Sequence, residues 1–117
     1  MGEVAARMEV VKLSPNIGAE IRGVDLSRPL DEPTFEAIRA AWHEHCIILF
    51  RDQPISEDDQ VRFAGRFGPL ARVLHKHSGR SESNDGVMYI SNIRENGQLI
   101  GALPDGEMMF HSDQCYV

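Results

Sequence analysis

The sequence predicts an α+β domain. Two segments read as capped amphipathic helices, several apolar runs have the length of strands, and Pro, Gly and Asn-Gly signals separate them. Met8 to Leu13 is apolar enough for a first strand, and Ser14-Pro15-Asn16 breaks it. Ile17 to Val24 offers a second strand with Gly18 and Gly23 at its ends, and Asp25 to Pro29 reads as a turn. Asp31 is the predicted N-cap of a helix, with Pro33 in the first turn, where its missing N–H costs nothing. Phe35, Ile38, Trp42 and His45 recur at helical spacing and predict one buried face. Cys46 to Phe50 follows as a buried strand in which Cys46 is a small core residue. Arg51-Asp52-Gln53-Pro54 ends it, read as a turn-forming ion pair.

Ser56 predicts the cap of a second helix, and Glu57, Asp58 and Asp59 suit the positive end of its dipole. That acidic run lacks the ligand spacing of a calcium loop. Val61, Ala64 and Phe67 form the expected apolar stripe, and Gly68-Pro69 stops the helix. Leu70 to Leu74 and Val87 to Ile90 read as strands, with a polar loop from Ser78 to Gly86 between them. Glu95-Asn96-Gly97-Gln98 carries the Asn-Gly pair of a tight hairpin, and Leu103 to Gly106 is a further turn. Glu107 to Val117 reads as an apolar strand pattern with no stop signal, so the chain is expected to be a piece of something longer.

The 117 residues can bury a core without disulfides or metal staples. Eighteen acidic against 12 basic side chains give a net charge of −6, the wrong sign for a nucleic-acid surface. No apolar run approaches the ~18 residues of a membrane span, and the N-terminus lacks the plan of a signal peptide. Cys46 and Cys115 make no disulfide framework, so a reducing cytoplasm is the expected location.

His111-Ser112-Asp113 is the sharpest chemical feature. In a strand, residues i and i+2 share a face, so an imidazole and a carboxylate would project side by side. That mixture of N and O donors suits a divalent metal, and a third ligand would complete a facial set with three open positions. The two-residue spacing is also compatible with a surface hydrogen-bonded pair.

The surrounding blocks narrow the choice. Ile17-Gly18-Ala19-Glu20-Ile21-Arg22-Gly23-Val24-Asp25-Leu26-Ser27-Arg28-Pro29-Leu30, Ile48-Leu49-Phe50-Arg51-Asp52-Gln53, Phe63-Ala64-Gly65-Arg66-Phe67-Gly68-Pro69-Leu70 and Phe110-His111-Ser112-Asp113 stand in this order. Together they resemble the taurine dioxygenase-type family of Fe(II)- and 2-oxoglutarate-dependent dioxygenases. The resemblance implies a double-stranded β-helix, or jelly roll, with flanking helices, of which residues 1–117 would be the N-terminal part. It implies that His111 and Asp113 are iron ligands, that 2-oxoglutarate is the cosubstrate, and that a distal histidine and an arginine lie further along. A small organic acid-type substrate would be hydroxylated while 2-oxoglutarate becomes succinate. In the family's taurine-specific members a histidine follows the Phe-Gly turn and an asparagine precedes the metal histidine. Val73 and Glu107 stand at those positions here, which points away from taurine itself.

Tyr89, Asn92 and Glu107 are the remaining candidates for the substrate pocket. His75 and His77 read as a solvated loop margin, His43 and His45 as structural, and Met108 and Met109 as core filler. The expected partners are a small-molecule substrate and dioxygen, compatible with a homo-oligomer, with no nucleic acid and no membrane. Two rival readings stand beside the enzyme: a truncated, non-catalytic remnant or interaction module, and a zinc hydrolase with Glu107 as its base. The 117-residue chain alone is expected to be inactive, because the distal ligand and the anchoring arginine are not in it.

Overall fold

A computed structural model of the chain describes residues 8–71, 86–87, 90–91, 93–99 and 110–111. The chain divides into two units, Met1–Leu70 and Ala71–Val117.

The first unit opens with an antiparallel pair, β1 (Glu9–Lys12) and β2 (Ala19–Arg22), in the register Glu9 to Arg22 and Lys12 to Ala19. The connection is held by Ser14. Its hydroxyl donates to the Ile17 carbonyl and accepts from the Ile17 N–H at 3.1 Å. Gly18 turns the chain into β2 with φ of +93°, a conformation that disfavours a side chain. β3 (Ile48–Leu49) pairs parallel to β2, Ala19 opposite Ile48, so β2 is the middle strand of a three-stranded sheet. Middle position explains why Ala19, Glu20 and Ile21 are all buried whereas β1 is largely exposed.

Helix α1 (Glu32–His45) connects β2 to β3, and α2 (Glu57–Gly65) follows. Asp31 caps α1 as expected, its carboxylate accepting from the Thr34 N–H at 2.8 Å. Thr34, Phe35, Ile38, Ala41 and His45 are buried. Trp42, expected in that face, is 41% exposed: the stripe centres on Ile38, Ala41 and His45, and Trp42 lies at its margin against the Phe67 ring, 5.4 Å between centroids. Ile21, Val24, Leu26, Ile38 and Ala41 form the core, and Met8, Leu30, Ile48, Phe50, Ile55, Phe63 and Phe67 pack against it.

Three expectations for residues 46–53 are corrected. Cys46 is exposed, because it is the C-cap of α1: with φ of +68° it turns the chain out of the helix, and its N–H donates to the Trp42 carbonyl at 2.8 Å. The strand is two residues long and half-buried, with Ile47 58% exposed. Arg51 pairs with Glu20 at 3.5 Å, not with Asp52, which occupies a turn at φ of +54°.

Ser56 and Asp59 form a reciprocal capping box at the start of α2, at 3.0 and 3.1 Å. Val61, Ala64 and Phe67 are half-buried as the stripe requires, joined by Phe63. The helix ends at Gly65, so Phe67 sits in the turn that follows.

In the second unit, β4 (Arg94–Glu95) and β5 (Gln98–Leu99) pair antiparallel across Asn96-Gly97, both at positive φ, the mirror-image turn that the Asn-Gly pair predicts. Val87 is buried and Ile90 is 61% exposed, and neither is in a strand. Leu70 and Ala71 are not in a strand either. The rest of the expected strands 70–74 and 87–90, most of the loop 78–86 and the turn 103–106 lie outside the described residues. No described helix is long and apolar enough to cross a membrane.

Candidate functional site

Several polar side chains of the first unit hold its turns and helix caps. Gln53 is its most connected strap. Its amide nitrogen donates to the Val24 carbonyl at 2.9 Å, and its amide oxygen accepts from the Leu26 N–H at 2.9 Å. The segment after β3 is thereby tied to the loop after β2. Arg62 donates to the Leu26 carbonyl at 3.3 Å, and Arg66 to the Leu30 carbonyl at 2.8 Å. Arg66 also pairs with Glu32 at 3.0 Å and lies 4.5 Å from the Phe35 ring centre. No spacing rule in the sequence marks Gln53, Arg62 or Arg66, since they reach 27, 36 and 36 residues along the chain. The family blocks contain Gln53 and Arg66, and that was the one available signal.

Charges in this unit are arranged to keep carboxylates ionised. Glu20 is buried in β2, and the Arg22 guanidinium, bonded to it at 3.1 Å, holds its carboxyl below the usual range, with Arg51 adding to the effect. Asp31 is lowered by hydrogen bonds from Thr34, Asp59 by the Ser56 N–H, and Asp25 by the Ser27 hydroxyl at 2.5 Å. These are structural uses, at caps and turns. His45 is buried, and its carbonyl accepts from the Gly18 N–H at 2.8 Å. His43 lies against Trp42, 5.2 Å between ring centres. Both fit the structural role expected of them.

His111, the described half of the His-x-Asp motif, is exposed and follows a bend at Phe110, which is exposed as well. It is not itself in a strand, so the alternation argument for the His111–Asp113 pair finds no ladder at its first member. Asp113, Tyr89, Asn92 and Glu107 lie outside the described residues, as do His75, His77, Met108 and Met109. Among the described residues no group of three or more His, Cys, Asp or Glu could hold a metal ion. The donor chemistry fits a ferrous ion as far as it extends: a solvent-accessible imidazole, and a carboxylate two residues on in sequence.

Residues 9–117 match the family described as taurine catabolism dioxygenase TauD, TfdA. The (S)-phenoxypropionate/alpha-ketoglutarate-dioxygenase of Delftia acidovorans is 28% identical over 120 residues, covering 94% of this chain and 38% of that protein. The alpha-ketoglutarate-dependent sulfate ester dioxygenase of Pseudomonas putida is 34% identical over 119 residues, covering 97% of this chain and 34% of the relative. A crystal structure of a taurine dioxygenase from Burkholderia xenovorans superposes with a TM-score of 0.63 at 34% identity, over 68% of this chain and 28% of that one. The chain thus spans little more than a third of the length of these two curated relatives.

Proposed function

This chain belongs to the taurine catabolism dioxygenase TauD, TfdA family, and from that premise we propose that it contributes two iron ligands, His111 and Asp113, to an Fe(II)- and 2-oxoglutarate-dependent dioxygenase. The observation that carries the reading is the family match itself, which runs through the His-x-Asp motif to residue 117. The fold proposed for the whole domain is the family's jelly roll with flanking helices. Relatives named for phenoxypropionate and sulfate esters support a small organic acid or acid ester as substrate.

Iron, when bound, supplies the redox chemistry that couples decarboxylation of 2-oxoglutarate to hydroxylation of the substrate by dioxygen, giving succinate and carbon dioxide. His111 contributes a neutral nitrogen donor and Asp113 an anionic oxygen donor, a set that suits the ferrous ion and leaves positions for cosubstrate and dioxygen. Tyr89, Asn92 and Glu107 are proposed to line the substrate side. A carboxylate at Glu107 would repel an anionic headgroup, so it is assigned to a polar or cationic part of the substrate.

The test is anaerobic Fe(II) dialysis and succinate formation in a protein that carries the whole family domain, with His111→Ala and Asp113→Ala beside it. Both variants are expected to lose tight iron binding and succinate production. Iron affinity retained in both removes the metal assignment. The 117-residue chain alone is expected to bind Fe(II) weakly and to form no succinate.

A further inference from the structure

The turn between β4 and β5 joins the two residue types between which a backbone nitrogen can attack the side chain before it. Asn96 and Gly97 are both exposed, at φ of +52° and +78°. Glu95 pairs with Gln98 across the turn, so the Gly97 N–H lies outside the ladder. Gly97 has no Cβ to shield that nitrogen. Even a Cβ built there would meet nothing within 4 Å among the described residues. The nitrogen is unhindered and within reach of water.

Asn16 is the contrast. It too is exposed, but the next residue is Ile17. Its branched side chain crowds the nitrogen, and its N–H donates to the Ser14 hydroxyl at 3.1 Å. Asn92 is likewise followed by an isoleucine, Ile93, whose N–H donates to the Ser91 hydroxyl at 3.0 Å. Of the chain's four asparagines, only Asn96 precedes a glycine.

We propose that Asn96 is a site of spontaneous deamidation, with water as the co-reactant. The Gly97 nitrogen loses its proton and attacks the side-chain carbonyl carbon of Asn96. A bond forms from that nitrogen to Cγ, the bond from Cγ to Nδ2 breaks, and ammonia leaves with the proton. The cyclic imide then takes up water at one of its two carbonyls. Opening at Cγ leaves aspartate. Opening at the backbone carbonyl leaves isoaspartate, in which the main chain runs through the former side chain.

Ring closure requires the bond from the Asn96 Cα to its carbonyl carbon to rotate out of the turn conformation, so the hairpin must open locally. Residues 93–98 are all exposed, and little buried surface holds the turn shut. The two products treat the hairpin differently. Asp-Gly suits the same mirror-image turn and places a negative charge beside Glu95. Isoaspartate lengthens the backbone by an atom and breaks the register of Glu95 with Gln98 and Arg94 with Leu99. The inference uses neither the family assignment nor the iron site.

The experiment incubates the 117-residue chain at neutral and mildly alkaline pH, with and without unfolding urea. Each asparagine is followed by peptide mapping that separates aspartate from isoaspartate. In native buffer Asn96 is expected to convert severalfold faster than Asn16, with isoaspartate among the products and a rate that rises with pH. Urea should speed conversion at Asn96 severalfold further, because it opens the turn. Asn96→Gln, which would have to close a larger ring, should show no conversion at that position, and His111→Ala should leave the rate at Asn96 unchanged. Equal conversion at Asn16 and Asn96 in native buffer overturns the proposal, and so does an Asn96 that converts only in urea. A rate that urea leaves unchanged overturns the gating by the turn.

Discussion

Residues 8–70 and the segment at residues 110–111 differ in burial and in the role proposed for them. In the first, the loops are tied from within: Ser14 holds the turn into β2, Gln53 straps two loops together, and Arg66 ties α2 to residues before α1. In the second, Phe110 and His111 are both exposed. A scaffold spends its polar atoms on its own backbone. The segment proposed to carry iron ligands would depend on the partners that complete that site. The two regions should therefore respond to substitution in opposite ways.

The largest separation is expected at His111. Its replacement by alanine should abolish succinate formation in a protein carrying the whole family domain and, at an exposed position, lower thermal stability less than a core substitution does, measured side by side by product assay and calorimetry. Ile38→Ala should do the reverse. Ile38 is fully buried in the core, and a cavity there costs about 2–5 kcal/mol, visible as a lowered urea midpoint. Gln53→Ala is expected to cost about 1–3 kcal/mol, because it strands the Val24 carbonyl and the Leu26 N–H. Ser56→Ala removes half of a capping box and should cost about 1 kcal/mol, read by the same denaturant titration.

A pH series sharpens the comparison further. Glu20, Asp25, Asp31 and Asp59 all have carboxyls lowered in the folded state, and all belong to the scaffold. A depressed folded value means the unfolded chain binds protons first. The stabilisation is then complete above about pH 5 and is lost as pH falls below ~4 through the folded values. Thermal melts between neutral and acid pH should show that loss, and Asp31→Asn with Asp59→Asn should flatten it.

What could be read from the sequence follows the range of the interactions involved. The caps at Asp31 and Ser56 and the hairpin at Asn96-Gly97 are encoded within four residues, and each stands where local rules place it. Cys46 was misplaced because hydropathy ranks it with the core, whereas its position as the residue that leaves α1 requires a positive φ at the surface. Arg51 was misassigned to its neighbour because its partner, Glu20, is reached only once β2 and β3 lie in one sheet. For the site, the spacing of His111 and Asp113 was visible, but the proposal that they hold iron came from family blocks spread along the chain. Two donors two residues apart do not specify a metal without a third.

The parallel pairing of β2 with β3 bears on how the chain is made. Parallel neighbours need a long crossover, and here Ala19 must wait for Ile48, about thirty residues later, with the whole of α1 between them. At ribosomal speeds that gap lasts roughly 2–6 seconds. During synthesis the β1–β2 hairpin can close at once, while the far side of β2 stays unsatisfied until the helix has emerged and delivered its partner. The nascent polypeptide is therefore most vulnerable to wrong pairing in that interval, and a chaperone that recognises exposed strands would be expected to engage it there.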